Sequence, residues 1–453
     1  MPFFEVTFLF GFLPVTLVIY YALPSRIRNA WLFVASGVFY AFSSWAFLPI
    51  LMFSIVVDYV VGQRIDRSES ARARRVWLGC SLATNLGLLA YFKYAGFLTS
   101  NLRAAGLTSV PLLEAALPVG ISFYTFQSMS YSIDLYRGVV RPARSFASFG
   151  AFVSMFPQLV AGPIVRFREL EEQLEERTHS FERFAQGIQF FVWGLAKKLL
   201  VADTAASLCD PIFRAGATGS AEAWSAVFLY AVQIYFDFSG YSDMAVGLGK
   251  MLGFELPQNF ASPYKAVSLS DFWRRWHITL STWLRDNLYI PLGGNRRGTA
   301  RTYVNLMLTM LLGGLWHGAS WNFIIWGAIH GGVLALERAL RSRTTWSPPI
   351  VIRRAAVFLV VLVAWVFFRI ETLEDATQWL SAMAFVDGIG AWPAAATLLA
   401  IAGFACLIWI PPNTHQRTLE TTPRRLAEVM LLFVVSLVVG YGRGTSPFLY
   451  FRF

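Results

Sequence analysis

Apolar runs about as long as a bilayer is thick recur along this chain, and no other feature restricts its fold as severely. They read at 6–24, 30–45, 46–62, 76–98, 112–133, 185–203, 223–241, 355–370, 394–410 and 426–441, near the ~20 residues that a helix needs to cross the hydrocarbon. With 453 residues, 56% hydrophobic and only 14% charged, the chain carries more apolar surface than one soluble core hides. The expected fold class is therefore an all-α polytopic membrane protein. The 148–163 run, ending in Pro157-Gln158-Leu159-Val160-Ala161-Gly162-Pro163, and the paired runs 303–316 and 321–337 are short or broken by Gly and Pro. They predict tilted or re-entrant segments, whose backbone has to be satisfied by protein or enclosed water.

The net charge of +11 does not point to nucleic acid, because the arginines fall in short clusters between apolar runs. Connections with Arg26 and Arg28, with Arg64 to Arg75, with Arg137 to Arg144, with Arg338 to Arg354 and with Arg417 to Arg425 fall on one side if the N-terminus is external. That side is the cytoplasm by the positive-inside rule. The 371–393 connection has acidic residues and no Lys or Arg, and reads as external. Residues 166–183, dense in Arg and Glu, predict an interfacial cytoplasmic helix or a solvated linker. Cys80, Cys209 and Cys406 stand far apart, too isolated for disulfides or a metal site, and are expected to be buried apolar fillers. The first residues lack a basic segment and a small-residue cleavage site, so no removable signal peptide is expected.

Of five histidines, His179 and His415 lie in polar connections and read as solvated side chains. His277, His317 and His330 do not. A charged group inside a span costs roughly 2.5 kcal/mol or more, so a titratable one there usually faces a cavity, a partner or a substrate path. His317, in Gly313-Gly314-Leu315-Trp316-His317-Gly318, has two readings: a general base removing a hydroxyl proton, or a helix-packing imidazole bonded to nearby backbone. His277 follows Asp271-Phe272-Trp273-Arg274-Arg275-Trp276 and reads as an interfacial anchor or as a second polar contact for the donor. His330 shares the cavity or packs against small residues. Asp237 and Asp243, in Phe236-Asp237-Phe238-Ser239-Gly240-Tyr241-Ser242-Asp243, either orient a histidine or pair with an arginine to pin the fold. The basic, Trp-rich block 250–301 suits the headgroup level, where Trp273, Trp276, Trp283 and Tyr289 would sit beside anionic phosphates. No Walker loop, HExxH helix or GxSxG elbow is present, and no internal repeat stands out.

The run from Asp271 through Trp283, Arg285, Asp286, Asn287 and Tyr289 to Asn295, followed by Gly314-Leu315-Trp316-His317-Gly318, resembles the membrane-bound O-acyltransferase family. The likeness extends to 157–163, to Gly194-Leu195-Ala196-Lys197-Lys198, to 236–243 and to Pro447-Phe448-Leu449-Tyr450-Phe451-Arg452-Phe453. Together these look like the bacterial alginate O-acetyltransferase branch. The resemblance implies a ring of about 11–13 transmembrane or re-entrant helices around a central tunnel, in one membrane domain over 1–453. Its parts would be N-terminal helices at 1–147, a catalytic core at 148–340 that includes the cytosolic block 250–301, and C-terminal helices at 341–453.

The same resemblance makes His317 and His277 catalytic, with Trp273, Arg274, Arg275, Trp276, Arg285, Asp286, Trp316 and Asn322 as substrate-binding or gate residues. No metal and no permanently bound cofactor are implied; acetyl-CoA or another acyl thioester is the donor substrate. The implied partners are the lipid bilayer, a polysaccharide acceptor such as alginate and a periplasmic or membrane-anchored acetyltransferase, in the bacterial inner membrane. Asn287 departs from the tyrosine common after Arg-Asp in the family. A D-alanyl transferase for teichoic acid fed by a carrier-protein thioester is the alternative within the fold, and a polysaccharide or lipid transporter the alternative outside it.

Overall fold

A computed structural model of the chain describes residues 1–343, 346–417 and 421–449, and these are helical, with no strand among them. The helices gather into two compact units. The first takes residues 1–191 and 244–257. Its helices are α1 (Leu13–Ala22), α2 (Ser25–Ser44), α3 (Leu48–Arg67), α4 (Ala71–Leu89), α5 (Ala95–Ala104), α6 (Ile121–Tyr136), α7 (Phe146–Ser154), α8 (Phe156–Leu159), α9 (Phe167–Glu175) and most of α10 (Phe181–Ala196). The second takes residues 192–243 and those from 258 onward. It holds α11 (Asp203–Ala215), most of α12 (Ser220–Met251), α13 (Leu269–Trp273), α14 (Ile278–Leu284), α15 (Thr299–His317), α16 (Trp321–Arg341), α17 (Ile350–Arg369), α18 (Leu373–Met383), α19 (Ala395–Trp409) and α20 (Pro423–Arg443).

Among the described residues, four helical stretches are long and apolar enough to cross a membrane: Ser25–Arg67, Trp321–Arg341, Ile350–Arg369 and Pro423–Arg443. The chain is a multi-pass, all-α membrane protein. Two connections predicted as cytoplasmic include Thr344, Thr345 and 418–420, and the terminal motif ends in 450–453; those positions lie outside the described residues.

In the first unit a buried carboxylate ties three helices together. Asp58 of α3 accepts from Ser81 Oγ (2.5 Å) and Asn85 Nδ2 (2.8 Å) of α4, and from Ser132 Oγ (3.4 Å) of α6. Such bonds between membrane helices contribute about 0.6 kcal/mol each, and leaving the carboxylate without them costs far more. The 112–133 span predicted from hydropathy is not one helix. Residues up to Gly120 run without regular structure, because Pro111 and Pro118 lack N–H donors and Gly120 adopts a left-handed φ of 75°; only Ile121–Tyr136 is helical, and it is almost wholly buried. The 166–183 segment contains α9, whose Arg166 N–H donates to Glu169 (3.0 Å) and which turns Phe167, Leu170 and Leu174 inward. Cys80 and Cys406 are exposed on α4 and α19, and only Cys209 is buried, so two of the three cysteines are surface residues rather than fillers.

The runs expected to be broken by glycine are two unbroken helices, α15 and α16. Glycine serves proximity here. A methyl group on Gly314 would fall on the Phe323 carbonyl oxygen, and one on Gly327 on that of Met310, so the two backbones touch in the small-residue manner of membrane helix pairs. Gly332 on the same helix has open space. Gly314→Ala is therefore expected to lower the melting temperature of the detergent-purified protein by several degrees, while Gly332→Ala leaves it unchanged or slightly raises it. Equal melting of both variants and the parent would refute the close-packing argument.

Candidate active site

Between α12 and α15 no long helix forms. Two short helices, α13 and α14, a 3₁₀ turn at Pro263–Lys265 and a π-helical turn at Arg285–Tyr289 fill the interval. Ser268 caps α13 by accepting from the Asp271 N–H at 3.0 Å, and Glu337 of α16 reaches over to accept from the N–H groups of Leu269 and Ser270. Arg275 pairs with Asp271 at 3.0 Å and also donates to the Ala261 carbonyl. The segment is thus bolted both to itself and to α16. Trp273, Trp276 and Trp283 are buried within the protein. Their apolar area is used inside the unit, whereas Arg274 and Arg285 are exposed. Arg285 forms a surface pair with its neighbour Asp286 at 2.7 Å.

His277 stands at the turn between α13 and α14 with a left-handed φ of 43°. A non-glycine residue there costs of order 1 kcal/mol and has to be held by its surroundings. Asn259 holds it. The Asn259 Oδ1 accepts from Thr279 N–H (3.3 Å) and Thr279 Oγ1 (3.0 Å) and faces His277 Nδ1 at 3.2 Å, while its Nδ2 donates to Ser242 Oγ at 3.2 Å. A backbone N–H only donates, so the Asn259 atom it meets is the oxygen, and His277 Nδ1 must carry its proton toward that oxygen. The lone pair is then on Nε2. Burial pushes the His277 imidazole down to about 3, so it is neutral.

His317 ends α15, where the helix meets an extended Gly318. Only 2% of the residue is exposed. Its ring lies within an aromatic shell of Trp316 (5.0 Å between centroids), Phe368 (5.1 Å) and Trp326 (5.2 Å). Trp316 also approaches His277 at 5.9 Å, and Trp326 approaches His330 at 4.6 Å. The three histidines are thus linked through two indoles. His330 Nδ1 faces the Trp273 indole N–H at 3.3 Å, which makes it the acceptor of that bond and a packed, oriented residue.

Asp237 and Asp243 each pair with a lysine. The Lys198 ammonium lies 2.8 Å from Asp237 and 2.8 Å from Asp203, and Asp237 also accepts from the Leu449 N–H at 2.8 Å. Lys197 binds Asp243 at 2.5 Å, and Thr414 donates to the same carboxylate at 2.6 Å. The expected arginine partner is a lysine in both cases. The two adjacent lysines open a π-helical turn at Lys197–Ala202 and, as successive helical residues, point in different directions. His415 Nε2 lies 3.9 Å from Asp243, and His179 Nε2 lies 3.0 Å from the Tyr20 hydroxyl. Neither is the solvated side chain that its polar connection suggests, since both are partly buried.

Asn322, at the start of α16, donates its amide to the carbonyls of Ile370 (2.6 Å) and Thr372 (3.1 Å). Those residues border an open cleft of about 770 Å³ lined by Phe213, Arg214, Arg369, Glu371, Asp375 and Trp379, among others. Arg369, which follows the Phe368 ring against His317, pairs with Asp210 at 3.0 Å. The residues that sequence reasoning did not single out are Asn259, Glu337 and Phe368. Nothing in Gln258-Asn259-Phe260 marks an imidazole partner, and Phe368 looks like any apolar residue of its span.

The sequence model of the membrane-bound O-acyltransferase family, MBOAT, matches residues 140–373. Over 391 residues the chain is 48% identical to a probable alginate O-acetylase AlgI of Azotobacter vinelandii, covering 84% of this chain and 78% of that protein. It is 42% identical to a probable alginate O-acetylase AlgI of Pseudomonas putida, with both chains covered completely. A peptidoglycan O-acetyltransferase of Helicobacter pylori is 39% identical over 418 residues, covering 84% of this chain and 79% of that protein.

The His277 geometry has a consequence for acid stability. The unfolded chain takes up a proton on this residue below about pH 6.5, whereas the folded one does not until about 3. Protons therefore favour the unfolded state between those values, and stability contributed by His277 is lost as the pH falls through that window. In Asn259→Asp, a carboxylate beside Nδ1 supports the imidazolium, so the acid limb of a melting-temperature profile should be shallower than in the parent. A steeper or unchanged limb would contradict the assignment.

Proposed function

The chain belongs to the membrane-bound O-acyltransferase family, and on that premise we propose that this membrane acyltransferase O-acetylates an extracytoplasmic polysaccharide, drawing the acetyl group from a cytosolic acyl thioester. Acetyl-CoA is the proposed donor. His317 acts as general base: it takes the proton of the acceptor hydroxyl as that oxygen attacks the thioester carbonyl. The C–O bond forms, the C–S bond breaks, and the proton passes from the imidazole to the departing thiolate. A positioned base of this kind contributes something like 10²–10⁴-fold in rate.

The observation that carries this reading is the burial of His317 in an aromatic shell at the end of α15, inside the region that the family model matches. An imidazole enclosed in this way and shielded from bulk water is the kind of side chain that takes a hydroxyl proton in general-base catalysis. His277, neutral and with its lone pair on Nε2, is a second polar contact, reached through Trp316. The exposed guanidinium groups of Arg274 and Arg285 suit the phosphates of the donor. Arg275, Asp286, Trp273 and Trp276 would act by holding the segment that presents them. The cleft beside Arg369 is where the acceptor hydroxyl would approach from the outer face, with Asn322 keeping its rim attached to α16. In this reading 1–453 works as one membrane domain with 148–340 as its catalytic part, in the bacterial inner membrane with the N-terminus outside. A separate periplasmic or membrane-anchored acetyltransferase completes delivery to the polymer. Relatives named for alginate and for peptidoglycan support a polysaccharide acceptor.

Acetate on the polymer, measured in cells that hold His317→Ala at the parent's protein level, should fall at least a hundredfold; undiminished acetate would refute the assignment. The sidedness is checked separately. Single cysteines placed at 63–75 should resist an impermeant thiol reagent in intact spheroplasts, and those at 371–393 should react. The opposite pattern would invert the proposed topology.

A further inference from the structure

One face of α17 borders a groove of about 570 Å³ lined by Trp224, Val351, Arg354, Ala355, Phe358, Leu359, Leu362 and Trp409. Val351, Ala355, Leu359 and Leu362 follow one another at helical spacing, and Val351 and Leu359 are exposed. From Val351 to Leu362 the helix rises about 16 Å at ~1.5 Å per residue, close to half of the ~30 Å hydrocarbon thickness. The groove therefore has the length of one leaflet's acyl chains. The helix that carries it is apolar and long enough to span.

The groove's end is cationic. Arg354 lines it and is exposed. Lys265 stands beside that end: the Trp409 indole N–H donates to the Tyr264 carbonyl at 3.2 Å, and the Lys265 ammonium donates to the Pro411 carbonyl at 2.8 Å. Arg353 donates to the Val267 carbonyl at 3.2 Å. Among the described residues no carboxylate forms an ion pair with Lys265, Arg353 or Arg354, whereas Arg275 has Asp271. Burial, then the neighbouring Arg354 and Arg275, lower the Lys265 ammonium below its ordinary range. An anion placed there would relieve that repulsion.

We propose that this groove holds one anionic phospholipid, its phosphate between Arg354 and Lys265 and an acyl chain along Val351, Ala355, Leu359 and Leu362. The site is independent of the acyl-transfer reading, since it uses none of the residues assigned to that chemistry. Trp409, at the groove's cationic end with its N–H on backbone, is the kind of ring that sits at headgroup level. Each basic group near a lipid phosphate contributes about fivefold in affinity for an anionic over a zwitterionic lipid.

The test is native mass spectrometry of the full-length protein titrated with phosphatidylglycerol or phosphatidylcholine of the same chain length. The parent should retain one phosphatidylglycerol in preference to phosphatidylcholine. Arg354→Gln should weaken that preference by about fivefold, and Arg354→Gln with Lys265→Gln by roughly thirtyfold. Leu359→Trp, which fills the groove and leaves the cations in place, should reduce retention of phosphatidylglycerol with an unchanged melting temperature in lipid-free detergent. Equal retention of both lipids by the parent would overturn the proposal. So would displacement of phosphatidylglycerol by millimolar inorganic phosphate, because the groove would then be a simple anion site, and so would full retention in Leu359→Trp.

Discussion

A polar group carried into the apolar interior of this chain is costly unless it meets a partner there, because bulk water does not follow it in. The architecture can be read as a set of answers to that requirement. Asp58 collects two hydroxyls and an amide from the neighbouring helices α4 and α6. Lys197 and Lys198 each take a buried aspartate, and Lys198 takes Asp203 as well. Asn259 gathers three donors on one oxygen. Breaking one of these sets strands a buried polar group, at a cost of about 1–3 kcal/mol and more for a charge. The sets therefore help to specify which helices meet.

The same requirement shapes the histidines. Burial disfavours an imidazolium, and a neutral imidazole then has one donor and one acceptor nitrogen whose roles its neighbours assign. At His277 the assignment follows from Asn259, and at His330 from the Trp273 N–H. At His317 the rings of Trp316, Trp326 and Phe368 lie within 5.2 Å between centroids and orient the imidazole by packing. The ring sits on a rigid pair of elements, since α15 and α16 touch backbone to backbone at Gly314 and Gly327. Binding an acyl donor and an acceptor from opposite faces would use that rigidity to keep the reacting groups in line.

Hydropathy located most helices well, and the Trp316-His317-Gly318 motif picked out the residue at the centre of the aromatic shell. Hydropathy failed where polar or proline-bearing residues interrupt the pattern. Pro111, Pro118 and Gly120 shorten an apparent span to Ile121–Tyr136. The glycines of 303–337 look like helix breakers along the chain, yet they are contact points of two continuous helices. Trp273, Trp276 and Trp283 are amphipathic, and which neighbours their rings pack against inside the protein is not legible along the chain. The arginine partner expected for Asp237 and Asp243 is a lysine in each case, Lys198 and Lys197.

By itself the amino-acid sequence determined the fold class and the family resemblance. These depend on local composition and on motifs read along the chain. Tertiary structure alone decided that Asn259 sets the His277 tautomer, that Phe368 and Trp326 enclose His317, and that the aspartates answer lysines. It also decided that an apolar face of α17 ends beside a group of cations. Each of these joins residues separated by long stretches of chain, and which of many chemically similar partners meet is fixed by helix packing, which no short sequence pattern encodes.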